Sequence, residues 1–83
     1  MASTDLRDAF NAAAAPDASC SRAFLHYEHK DETQFQRLGF VGTWADGTSF
    51  EVKSDLIRPD ADVNLVAREA ALQMIAQRKP EAT

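Results

Sequence analysis

Apolar residues at Leu6, Ala9, Phe10 and Ala13 fall at i, i+3, i+4 and i+7, the spacing that lines one face of an α-helix. The pattern predicts a helix over 4–14, capped by Ser3 or Thr4, with Asp5 and Asp8 near the positive end of its dipole. Pro16 closes it, because the residue before a proline avoids the helical region. From 22 to 30 the chain is rich in aromatics and free of Gly and Pro, which reads as a strand. A second strand is predicted over 35–44 and a third over 48–54, with Gly39 and Gly42 marking a bulge or a close backbone approach. A wide apolar stripe of Val63, Val66, Ala67, Ala70, Ala71, Met74 and Ile75 then predicts a helix over 61–79. Asp60 or Asp62 caps it, Arg78 and Lys79 suit its negative end, and Pro80 stops it.

Asp46-Gly47 between two apolar strands predicts a two-residue type I′ turn, because both central residues of that turn need positive φ. Pairing Ala45 with Thr48 sets Thr43 opposite Phe50 and Val41 opposite Val52 on one face. The other face then carries Leu38, Phe40 and Trp44 with Glu51 and Lys53. The polar link at Asp31-Glu32-Thr33 leaves the first strand two registers. A three-residue loop sets Phe24 beside Leu38 and Phe40, and a two-residue loop sets Ala23, Leu25 and Tyr27 there. The expected fold is α+β: one small domain over 1–83 in the order α-β-β-β-α, a three-stranded antiparallel meander with both helices on the face carrying Val41, Phe50 and Val52. Leu38, Phe40 and Trp44 are expected on the opposite face, with a core role there as the alternative if a helix covers that face instead, since alternation alone does not say which face is buried.

Eighty-three residues allow one domain, burying only about 60 to 65% of the unfolded surface. Nine Lys and Arg against thirteen Asp and Glu give a net charge of −4, the wrong sign for long-range attraction to phosphate. A single cysteine, Cys20, cannot form an internal disulfide, and residues 1–15 lack the basic and apolar regions of a secretory signal. With no run approaching the roughly 20 apolar residues of a membrane span, the expected location is cytoplasmic, with no membrane partner.

Candidate chemistry is sparse. His26 and His29 have an HxxH spacing, but on a strand these positions point to opposite faces and cannot chelate together, so no metal or other cofactor is expected. Cys20 has no partner in the sequence that implies an oxyanion hole or an orienting base, and no phosphate-binding glycine loop or hydrolase motif is present. No catalytic residue is assigned, and the chain is read as a non-enzyme.

The order α-β-β-β-α is similar to that of the double-stranded RNA-binding domain, and Ala67-Arg68-Glu69-Ala70-Ala71 resembles that family's alanine-rich second helix. The resemblance implies phosphate-gripping lysines where the second helix begins. This chain has Asp60 and Asp62 there, which predicts repulsion of the duplex. In size and charge the chain also resembles phage-encoded inhibitors of host nucleic-acid machinery such as CRISPR complexes, whose acidic side chains occupy a channel meant for nucleic acid. The leading expectation is therefore a non-enzymatic, inhibitory protein that binds a protein partner, such as a host nucleic-acid-processing complex. Its surface is expected to comprise Leu38, Phe40, Trp44, Glu51 and Lys53 with the acidic segment Asp55, Asp60 and Asp62. A second copy covering the same apolar face, giving a homodimer, fits equally. The alternative is nucleic-acid binding through the sheet or through Arg22, Arg37, Lys53 and Arg58.

Overall fold

A computed structural model describes residues 2–30 and 33–78. Its elements are α1 (Ala2–Ala13), β1 (Ala18–Lys30), β2 (Thr33–Trp44), β3 (Ser49–Lys53) and α2 (Val63–Arg78), in the expected order. The strands form one antiparallel sheet, β1-β2-β3, with the helices on one face. α1 begins ahead of the expected caps, and the side chains of Ser3, Thr4 and Asp5 lie outside the described residues, as do Lys79 and Pro80. Asp62 caps α2 as expected, its carboxylate accepting from the N–H groups of Asn64 and Leu65 at 3.1 and 3.2 Å.

The β2–β3 connection differs from the expected type I′ turn. Gly47 N–H donates to Trp44 O at 2.9 Å and Trp44 N–H to Thr48 O at 2.8 Å, so Ala45, Asp46 and Gly47 form a three-residue loop. Gly47 takes the left-handed conformation that ends such loops, with φ of 93°. One extra loop residue moves the register by one and turns β3 over. Gly42 now faces Phe50, and Phe40 faces Val52. Leu38, Phe40, Trp44, Phe50 and Val52 therefore share one face, and Val41 lies on the other.

That shared face is the one the helices cover. Leu38 and Phe40 are fully buried and Trp44 nearly so. The expectation that these three form an exposed surface for a partner or a second copy is thus corrected: this chain's own helices occupy it. The first strand takes the two-residue register, with Ala23 opposite Phe40 and Leu25 opposite Leu38, and residues 31–32 lie outside the described set. A bulge between Cys20 and Arg22, facing Gly42, shifts the side-chain alternation by one. Ala18 and Cys20 before it and Ala23 after it all reach the core.

These small residues leave room for α1. Leu6 and Phe10 insert above them, and the Phe10 ring stacks on Phe40 at 4.5 Å and lies 6.0 Å from Phe50. α1 also packs on α2, which contributes Ala67, Ala70, Ala71 and Met74. The side chain of Asn11 runs from α1 to the edge of β1, accepting from Cys20 N–H at 2.6 Å and donating to Cys20 O at 3.3 Å. It pairs with that edge as a neighbouring strand would.

At the far end, Arg78 of α2 lies 4.5 Å over the Trp44 ring and binds the turn, donating to Thr48 Oγ1 at 3.0 Å and to the Asp46 carboxylate. Thr48 N–H and hydroxyl, followed by Arg78, hold Asp46 at about 2, below its ordinary 3.8. Because the folded value is the lower one, the stabilising contribution is complete above the unfolded value near 3.8 and is lost as pH falls through about 2. An NMR titration is expected to place the Asp46 midpoint near 2, and Thr48→Val, which keeps the N–H but removes the hydroxyl, should move it part of the way back. A midpoint at the ordinary value in the wild type would show that the turn is not held by these bonds.

Candidate interaction surface

The sheet face away from the helices is open. After the bulge, alternation directs Arg22, Phe24, His26 and Glu28 of β1 to it, together with Phe35, Arg37, Gly39, Val41 and Thr43 of β2 and Ser49, Glu51 and Lys53 of β3. The register places Phe24, Gly39 and Lys53 in one row across the three strands. Gly39 has a direct role in that row. The Phe24 ring lies so close over it that a Cβ there would collide with the ring, so the missing side chain is what seats the aromatic.

Charges of both signs surround the ring. The Arg22 guanidinium lies 5.7 Å from the Phe24 centroid, within cation–π range. Glu28 lies between His26 at 3.6 Å and Arg37 at 3.9 Å, and Lys53 lies 3.9 Å from Glu51. All are partly exposed, so each pair adds about 0 to 1 kcal/mol and mainly sets the side-chain arrangement. Arg37 Nε is shielded and lacks a hydrogen-bond partner among the described residues. Phe24, Leu25, His26, Glu28, Arg37 and Lys53 line an open groove of about 310 Å³. Among the described side chains of this face, Arg22, Arg37 and Lys53 outnumber Glu28 and Glu51, against a net charge of −4 for the whole chain.

The expected surface residues separate into three places. Leu38, Phe40 and Trp44 are in the core, Glu51 and Lys53 are on the open face, and Asp55, Asp60 and Asp62 are exposed on the link leading into α2. Asp60 pairs with Arg58 at 3.5 Å, and Asp62 is committed to its cap. Phe24, Gly39 and Arg37 at the centre of the open face were not singled out as a set by sequence reasoning, although Arg22, Arg37 and Lys53 belong to its nucleic-acid alternative.

The groups considered for catalysis lie apart. Cys20 is buried, its thiol donates to Arg22 O at 3.1 Å, and burial raises its pKa. His26 faces the open side and His29 the opposite one. Among the described residues no three His, Cys, Asp or Glu side chains converge to hold a metal ion, and no helix is long and apolar enough to cross a membrane. No protein-family model, curated protein or solved structure matches this chain.

Proposed function

We propose that the chain is a non-enzymatic protein-binding protein that acts through the open face of its sheet. The observation that carries this reading is the Phe24 ring seated over Gly39 within a field of alternating charge, Arg22, Arg37 and Lys53 interleaved with Glu28 and Glu51. Aromatic residues and Arg are enriched in protein interfaces, and charges of both signs match a partner protein better than a polyanion. Within this reading the chain is an inhibitor of host nucleic-acid machinery of the phage-encoded kind. Its small size, its −4 charge and the exposed Asp55 and Asp60 support that narrower function by offering a basic channel an acidic occupant.

One arrangement favours nucleic acid instead: Phe24 among three cations offers a platform on which a single-stranded base can stack. The readings separate by experiment. In affinity capture from the native host, one protein should be retained by the wild type and lost by Phe24→Ala and Arg37→Glu, each confirmed folded by circular dichroism. Asp55→Asn with Asp60→Asn tests the acidic segment, and the captured complex should lose activity when the chain is added. Equal retention by the wild type and both face variants overturns the reading. So does tight oligonucleotide binding with a steep salt dependence.

A further inference from the structure

The open edge of β1 is the strongest unassigned feature. On β2, Trp44, Leu38 and Gln36 direct their backbone groups toward β3 and the link beyond it, through bonds to Thr48, Ser54 and Ile57. Antiparallel alternation therefore turns Val41, Gly39, Arg37 and Phe35 toward β1, where they meet Arg22, Phe24, His26 and Glu28. The N–H and C=O groups of Ala23, Leu25 and Tyr27 then point away from the sheet, and among the described residues nothing bonds them. The edge has a defined beginning, since Ala18 N–H donates to Ala15 O and Asn11 takes both backbone groups of Cys20. From Ala23 onward it is a bare template for another strand.

We infer that a second copy of this chain pairs with that edge, β1 to β1 antiparallel about a two-fold axis at Leu25, joining two three-stranded sheets into one. The sequence along the edge is self-complementary in this register. Ala23, already in the core, lies opposite the second copy's Tyr27, so the half-exposed tyrosine lies beside a small residue, and Leu25 meets Leu25. On the open face Phe24 lies opposite the second copy's His26, and Arg22 opposite its Glu28. Arg22 has no carboxylate within 4.0 Å among the described residues, and the second copy supplies one. The Ala23–Tyr27 and Leu25–Leu25 pairs each exchange two hydrogen bonds, and pairing stops where Asn11 occupies the edge. An isologous contact of this kind closes as a dimer and leaves no free β1 edge.

Sedimentation equilibrium over a concentration series tests it. The wild type should associate to twice its 9.1 kDa. Arg22→Glu sets like charges opposite each other at both ends of the contact and should weaken association by about tenfold or more, and the double variant Arg22→Glu with Glu28→Arg should restore it. Tyr27→Pro removes an N–H that the single copy does not use and should give a folded monomer, with the Trp44 emission of the wild type. A wild type that stays at 9.1 kDa at high concentration overturns the inference. A dimer unchanged by Tyr27→Pro or strengthened by Arg22→Glu overturns this edge and this register.

Discussion

Phe10→Ala is expected to cost about 3 to 5 kcal/mol, the range for truncating a fully enclosed aromatic. The ring is completely buried, stacked on Phe40 and near Phe50, and it fills the space left by Ala18, Cys20 and Ala23. A domain of this length has a total stability of roughly 4 to 12 kcal/mol, so the loss takes a large share of it. Urea unfolding followed by Trp44 fluorescence should show a lowered midpoint, with Phe10→Leu recovering most of the difference. A loss under about 1 kcal/mol would mean that α1 is not anchored through this ring.

Two glycines of β2 are expected to respond in opposite ways. A Cβ at Gly42 would meet the Ser19 carbonyl oxygen, Cys20 Cα at 2.7 Å and Phe50 Cζ at 2.5 Å. The first two are backbone atoms at the bulge, which cannot rotate aside. Gly42→Ala should therefore destabilise by about 1 to 3 kcal/mol or more, as overpacking does, measured by the same unfolding experiment. A Cβ at Gly39 meets only the Phe24 ring among its nearest atoms, and that ring can swing toward solvent. Gly39→Ala should cost under about 1 kcal/mol yet remove the seated ring and with it capture of the partner. A stable Gly42→Ala protein would show that β1 can slide at the bulge.

The element order was legible because the two helical stripes and the Asp-Gly turn are strong local signals. Register was not, because a glycine at the last loop position serves both a two-residue type I′ turn and a three-residue turn ending in positive φ. The choice moved every side chain of β3. A longer-range rule could have decided it: the type I′ register set Leu38, Phe40 and Trp44 against Glu51 and Lys53, whereas shifting by one gathers Phe50 and Val52 with them. For the candidate surface, Glu51 and Lys53 were legible on the exposed side. The place of Phe24 over Gly39 was hidden behind the open length of the β1–β2 link, and the side it faces behind the two-residue turn predicted between β2 and β3. The Cys20 bulge was missed because the predicted strand begins at 22, whereas β1 begins at Ala18 and carries the bulge in its first residues.

α1 and α2 stand at opposite ends of the element order yet pack on each other over the sheet. This has a consequence for synthesis on the ribosome. The β1–β2–β3 meander can form hairpin by hairpin as it emerges, but Trp44 lacks its Arg78 cover, and α1 its helical neighbour, until residues 63–78 have left the exit tunnel. A nascent chain stalled before α2 presents an aromatic core face to its surroundings, and cooperative closure of that face falls to α2.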